Sequence, residues 1–183
     1  MLHNEKELIK CIAEGETELF SHIAEHYAQA VHTLIIRIVG SEEDAEELTQ
    51  DVFLRVFENL PYFNHKCSFS TWLYRIAYNC AISFTRHKRQ QYLQIDENRL
   101  RLVDDVEVEQ IEAIADNEQK LNALARAIQQ LNAEERALVT LFYYEERSVS
   151  ECAEIVGQSQ NNIKVRLHRI RKKLYILIQD ETK

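Results

Sequence analysis

The 183-residue sequence predicts an all-α protein with two helical domains joined by an acidic linker, the C-terminal one a helix-turn-helix. Three observations carry this. Only three glycines and one proline interrupt the chain, so helices can run long; in a helix interior glycine costs about 1 kcal/mol and proline about 3. Apolar residues recur at the 3.6-residue period of amphipathic helices over most of the length. Charge is also partitioned: residues 1–90 carry a net −4, residues 91–118 a net −7 and residues 119–183 a net +3. The whole-chain charge of −8 alone would argue against a nucleic-acid partner. It hides a basic C-terminal module behind an acidic middle, and a polyanion responds to the local field.

In chain order, helical patterns over Glu5–Ala13 and Glu18–Val39 bracket Gly15. Ser41 is placed to cap a helix from about Glu42 to Leu60, which Pro61 ends. A loop from Tyr62 to Ser68 leads to a helix over about Ser70–Arg89. Residues 91–118 lose strong periodicity and gain acid (Asp96, Glu97, Asp104, Asp105, Glu107, Glu109, Glu112, Asp116 and Glu118), the pattern of a linker with room for helical turns. Helices over Gln119–Gln130 and Ala133–Tyr143 open the C-terminal module. Then a short helix carrying Ala153, Ile155 and Val156 is punctuated by Gly157, and Ser159 is placed to cap the next. In that last helix Ile163, Leu167, Ile170 and Leu174 fall on one stripe. At about 100° per residue, Asn161, Val165, His168 and Lys172 lie opposite, flanked by Lys164, Arg169 and Arg171. From Gln158 to Leu174 there are six cations and no acid. A basic run alone is equally a solvated face; with the turn glycine and the preceding short helix it reads as a helix for a DNA major groove.

Composition narrows the function. No apolar run approaches the roughly 18 residues of a membrane span, and MLHNEKELIK lacks a signal-peptide core, so a cytoplasmic protein with no direct membrane insertion is expected. Cys11, Cys67, Cys80 and Cys152 form no CxxC pair and read as reduced thiols. His65, Cys67, Cys80 and His87 match no metal-ligand spacing. There is no glycine-rich phosphate loop, nucleophile motif or converging ligand set, so no enzyme activity, metal, cofactor or small-molecule substrate is expected.

Two surfaces of the N-terminal half exceed what packing needs. On the helix after Ser41, Ala45, Leu48, Val52 and Val56 form the inward stripe, and Glu47, Gln50, Asp51, Leu54 and Glu58 share the outer side. A leucine among acids suits a basic partner helix, and is otherwise a stray apolar residue on a solvated face. On the helix after the loop, Leu73, Ile76, Ala77, Cys80 and Phe84 face inward, while Trp72, Arg75, Asn79 and Arg86 line an outer stripe near Tyr74 and Tyr78. It ends in Arg86, His87, Lys88 and Arg89. Aromatic planes beside cations suit unpaired DNA, and the loop with Tyr62, Phe63, Asn64, His65, Lys66 and Ser68 is placed to cup an extruded base. Phe69 and Trp72 fit a core role equally well.

DAEELTQDVFLRVFENL followed by FSTWLYRIAYNCAISFTRHKR resembles the promoter-melting domain of bacterial sigma factors. LNAEERALVTLFYYEERSVSECAEIVGQSQNNIKVRLHRIRKKL resembles their C-terminal DNA-binding domain, and the tandem order is similar to that of sigma-70-family factors of the extracytoplasmic-function (ECF) group. The resemblance implies domains at residues 1–90 and 119–183, joined by the linker at 91–118. It implies that Glu47, Gln50, Asp51, Leu54 and Glu58 meet the β′ clamp helices of core RNA polymerase, with the β flap a second contact. Phe63, Asn64, His65, Lys66, Ser68 and Asn79 would hold a flipped base of the −10 element, supported by Trp72, Tyr74, Arg75 and Arg86. Asn161, Lys164, Val165, His168, Arg169 and Lys172 would face the −35 major groove, and Arg166 and Arg171 would contact phosphates or support. The linker would thread toward the polymerase active centre, and an anti-sigma factor is a further implied partner. Asn64, His65 and Lys66 stand where a glycine is common after the loop aromatic, and Asn161 and Asn162 where a small residue and threonine are common, so promoter choice is expected to differ. Two competing readings remain: an operator-binding regulator with a dimerising N-terminal half, and a protein-interaction module that sequesters a regulator.

Overall fold

The computed structural model describes residues 5–87, 100, 103 and 118–181. Among these residues there are eight α-helices and no strand. They fall in two compact units, residues 1–88 with 154–157 and residues 89–153 with 158–183. Lys88, Arg89 and the linker acids from Asp96 to Asp116 lie outside the described residues.

In the first unit α1 (Glu5–Ala13) leads to α2 (Phe20–Val39), α3 (Glu42–Asn59) and α4 (Phe69–His87), and α2, α3 and α4 pack mutually. The core is aliphatic: Ile23, Val31, Leu34, Ile35 and Ile38 of α2 meet the small inward residues Ala45, Val52, Val56, Ala77 and Ala81, which let the helices approach closely. A 3-10 turn over Thr17–Leu19 replaces the first turn predicted for α2. Gly40, at φ +76°, ends α2 by donating its N–H to the Ile36 carbonyl. Ser41 then caps α3 by accepting from the Asp44 N–H, as its spacing predicts. The Tyr27 hydroxyl donates to the Glu5 carboxylate, tying α1 to α2.

The second unit holds α5 (Glu118–Gln130), α6 (Ala133–Val139), the first part of α7 (Val149–Val156) and α8 (Gln160–Glu181). Asn132 and Glu135 form a reciprocal capping box at the start of α6. Buried Arg136 donates to the carbonyls of Gln129 and Leu131, satisfying the C-terminal end of α5. The predicted helix over Ala133–Tyr143 does not run through: beyond Val139 the backbone widens into a π-helical turn, Thr140–Tyr144, closed by Glu145 N–H to the Thr140 carbonyl. Two residues of the linker, Leu100 and Val103, are buried against Ile176 and Tyr175 of α8, so the linker is anchored there.

A second capping box opens α7. Ser148 Oγ accepts from the Glu151 N–H at 3.2 Å, and the Glu151 carboxylate accepts from the Ser148 N–H at 3.0 Å and hydroxyl at 2.7 Å. Partial burial acts to raise the Glu151 carboxyl, but the two Ser148 bonds and Arg147 outweigh it and hold the group below its ordinary value. A carboxylate lowered on folding contributes stability above about pH 4.5 and loses it as pH falls through the folded-state value. Glu151→Gln is therefore expected to destabilise the chain at neutral pH, with the gap to wild type closing as acid protonates the native carboxylate. Urea denaturation across that range reads it, and a pH-independent gap would show that ionised Glu151 is not the stabilising form.

Candidate nucleic-acid interface

The loop between α3 and α4 is built from both ends inward. A 3-10 turn over Leu60–Tyr62, with Pro61 inside it, ends α3, and Phe63 N–H donates to the Leu60 carbonyl at 3.0 Å. Leu60 and Phe63 are buried, and the Phe63 ring lies 5.8 Å from Phe69 and 5.0 Å from Trp72 between centroids. Asn64 Oδ1 accepts from the Lys66 N–H, an Asx turn, and His65 between them adopts a left-handed φ of +56°. Asn, Asp and His reach that region at lower cost than other side chains, which explains how the loop closes without the glycine common in the family. Ser68 closes the loop as the cap of α4, accepting from the Thr71 N–H and donating to Thr71 Oγ1.

The loop and α1 share a cleft of about 650 Å³. Phe63, Phe69 and Ile9 supply its apolar surface, and its edge carries Lys6, Lys10, Lys66 and His65 with one acid, Glu5, whose carboxylate is taken up by Tyr27. An apolar floor with positive charge at the rim is what a flat heterocycle on a phosphate backbone requires. The part played by α1 was not legible in the sequence, although Lys6 and Lys10, four residues apart, already mark one face of it.

Two expected surface planes are corrected. Tyr74 is 1% exposed and Tyr78 is also buried, so neither presents a ring to solvent. Phe63, at 8%, is the anchor of the loop rather than its outward face. Helical spacing places Tyr74 next to the Leu73–Ala77 stripe, and burying its large ring outweighs leaving it wet. Trp72 and Arg75 are half-buried, and Asn79, Arg86, Asn64, His65 and Lys66 are exposed. The inward stripe holds for Leu73, Ala77 and Cys80, whereas Ile76 and Phe84 are only half-buried.

On α3 the acidic side is as expected: Glu47, Gln50, Asp51 and Glu58 are exposed around Leu54, which is 62% exposed. Phe57 adds a second exposed apolar side chain to this helix.

Between α7 and α8 the turn takes the predicted form, with Gly157 at φ +72° and Ser159 Oγ accepting from the Asn162 N–H. Ile163, Leu167, Ile170 and Leu174 are all buried. Opposite them Asn161, Lys164, Val165 and Arg169 are exposed, and His168, Arg171 and Lys172 half-buried. The cations divide by task. Arg166 donates to Gln158 at 3.0 Å and to Glu134 of α6 at 3.2 Å, and Lys173 pairs with Glu135, so these two brace α8 against α6. Arg171 reaches the Tyr143 hydroxyl at 3.4 Å. The remaining exposed face carries positive charge with apolar Val165 within it, a surface able to meet both phosphates and a thymine methyl.

The four cysteines are free thiols, and burial pushes the Cys152 thiol up to about 11. Cys80, also raised by burial, lies 3.0 Å from Arg55 Nη1. No group of three or more His, Cys, Asp or Glu side chains that could hold a metal occurs among the described residues, and no described helix is long and apolar enough to cross a membrane.

The fold and these surfaces define a helical, two-unit protein with a helix-turn-helix. Residues 23–91 match sigma-70 region 2, and residues 121–174 match sigma-70 region 4. The ECF RNA polymerase sigma factor SigW of Bacillus subtilis is 29% identical over 96% of this chain and 97% of its own length. The ECF RNA polymerase sigma factor BldN of Streptomyces coelicolor is 28% identical over 97% of this chain and 67% of its own length. The structure of CnrH in complex with the cytosolic domain of CnrY shares the fold with a TM-score of 0.67, at 20% identity over 96% of this chain and 97% of that one. That of RpoE in complex with the anti-sigma factor NepR from Bartonella quintana does so with a TM-score of 0.60, at 19% identity over 87% and 96%. The chain belongs to the extracytoplasmic-function group of the sigma-70 family. It is accordingly an RNA polymerase sigma factor and directs promoter-specific transcription.

The left-handed His65 gives a direct test of the loop. His65→Gly is expected to keep or slightly raise stability, because glycine adopts that backbone freely, while His65→Val should cost about 1–2 kcal/mol. Equal stability of both variants in urea would mean the loop backbone is not held in that region.

Proposed function

We propose that residues 1–90 bind core polymerase and the −10 element, residues 119–183 bind the −35 element, and the acidic linker at 91–118 enters a basic channel of the polymerase. The β′ clamp helices dock on the α3 face of Glu47, Gln50, Asp51, Leu54 and Glu58. The loop of Asn64, His65, Lys66 and Ser68, anchored by Phe63 and flanked by Trp72, Arg75, Asn79 and Arg86, receives an unpaired −10 base. Tyr74 contributes by packing beneath this surface. In the −35 groove Lys164, Val165, His168 and Arg169 read base edges near the start of α8. Asn161, Arg171 and Lys172 adjoin the backbone, while Arg166 holds α8 in place. The β flap is the second polymerase contact.

The observation that carries this reading is the pairing, in one chain, of a cation-rimmed aromatic loop with a helix-turn-helix whose exposed face is basic. Opening needs no catalysis by this chain. Each captured base contributes about 1–3 kcal/mol of stacking, enough to offset local unpairing. Either DNA contact alone is weak, and polymerase raises the effective concentration of one module once the other has bound. The protein works in the cytoplasm. An anti-sigma factor masks these same surfaces, a partner suggested by the RpoE–NepR complex.

Purified protein added to sigma-free core polymerase and DNA of its source genome is expected to give discrete transcript starts sharing two upstream elements. Asp51→Arg, reversing charge on the α3 face, should abolish those starts and weaken core binding without altering the helical circular-dichroism spectrum. Tight binding to a symmetric operator without polymerase, and no starts, would favour the regulator reading instead. Arg169→Ala should weaken binding to the −35 element by about 1–3 kcal/mol if it contacts a base. Competition with unrelated duplex separates the cases, since an equal loss on every sequence would reassign Arg169 to phosphate.

A further inference from the structure

Tyr62 is the most exposed of the large hydrophobic side chains described, at 81%. Its backbone, however, is held: it ends the Leu60–Tyr62 3-10 turn, Pro61 restricts the residue before it, and buried Leu60 and Phe63 pin the chain on either side. The ring therefore projects from a fixed point rather than from a loose loop. Tyr62 directly precedes Phe63, whose ring packs 5.0 Å from Trp72 at the start of α4, so the tyrosine ring projects at the base of the loop that carries exposed Asn64 and Lys66. The rings of Phe63, Tyr74 and Tyr78 are buried and Trp72 is half-buried, which leaves Tyr62 as the open aromatic plane here.

We infer that Tyr62 is a stacking residue for an unpaired base adjoining the one held by the loop, so that the strand is gripped at two successive nucleotides. The inference rests on the proposed −10 role of the loop and adds to it a residue, a contact type and a ligand class. A π-face stacks on any base and most strongly on purines, so Tyr62 contributes affinity for the opened strand with a mild purine preference rather than a sequence code. Ordering the ring costs little, since a tyrosine side chain has only two χ angles to fix. Exposed Lys66, four residues further along the same loop, supplies a cation for the phosphates of the same nucleotides.

The test uses reconstituted holoenzyme and a labelled single-stranded oligonucleotide carrying the non-template −10 region of a promoter mapped with the wild-type protein. Tyr62→Ala is expected to weaken strand binding by about 5- to 100-fold, with unchanged affinity for core polymerase and for −35 duplex. Tyr62→Phe and Tyr62→Trp should restore most of it. An alanine variant equal to wild type overturns the inference, as does a phenylalanine variant as weak as alanine, because the hydroxyl would then carry the contact. Loss of core or protein-partner binding with strand binding intact also overturns it and makes Tyr62 a protein contact. A wild-type holoenzyme that starts transcription but does not retain the −10 strand would instead refute the −10 role of the loop, a result seen before any variant is made.

Discussion

Phe63 packs against both Phe69 and Trp72, whose own rings lie 5.7 Å apart, and the presentation of the whole α3–α4 loop follows from that three-ring cluster. A buried phenylalanine of this kind contributes about 1.5–3 kcal/mol, more than the left-handed backbone at His65 costs, so the loop holds a conformation that isolated sequence preference would not choose. Its other supports point the same way. The Asx turn at Asn64 and the Ser68 cap take up backbone groups that a tight loop would otherwise leave to water. What faces outward is then a set of polar and cationic side chains over an apolar floor, with positions set by packing before any ligand arrives.

Much of this was legible in the sequence, for identifiable reasons. Helix starts at Ser41 and Ser159 and the turn at Gly157 are local hydrogen-bonding and φ requirements, which a few adjacent residues decide. The α8 stripe is equally local, since 3.6-residue periodicity separates Ile163, Leu167, Ile170 and Leu174 from the basic face. The burial of Tyr74 was not. Tyr62 and Tyr74 are both tyrosines near one loop, and only the tertiary arrangement of α2, α3 and α4 determines that Tyr74 enters the core while Tyr62 stays out. The π-helical turn at Thr140–Tyr144 is a similar case, because its residues carry an ordinary helical pattern and no breaker.

The cations of α8 show how one helix satisfies folding and binding together. Six positive charges within one stretch repel one another, and Glu134 and Glu135, in the first turn of α6, offset part of that by taking up Arg166 and Lys173. Those carboxylates also sit at a helix N-terminus, where the backbone dipole favours them. Both pairs are partly buried, so desolvation offsets part of their attraction and their larger effect is directional. They fix the rotation of α8 so that Lys164, Val165 and Arg169 share the outward face.

The acidic linker reconciles a net charge of −8 with a DNA-binding role. Its carboxylates are separate in sequence from the basic stretch of α8, so they lower the whole-chain charge while the net charge of residues 119–183 stays positive at +3. At physiological ionic strength the Debye length is about 8 Å, and linker acids farther than that from α8 barely reduce its local potential. Leu100 and Val103 bind the linker to Tyr175 and Ile176, on the turn of α8 after the last of its six cations at Lys173. That anchor puts the attachment point beyond Asn161, Lys164 and Arg169, where base edges would be read, and attaches the linker through apolar contacts that salt does not weaken. Electrostatic affinity for DNA, by contrast, falls steeply with salt. The chain is thus held together by forces insensitive to the ionic strength that regulates its proposed grip on promoters.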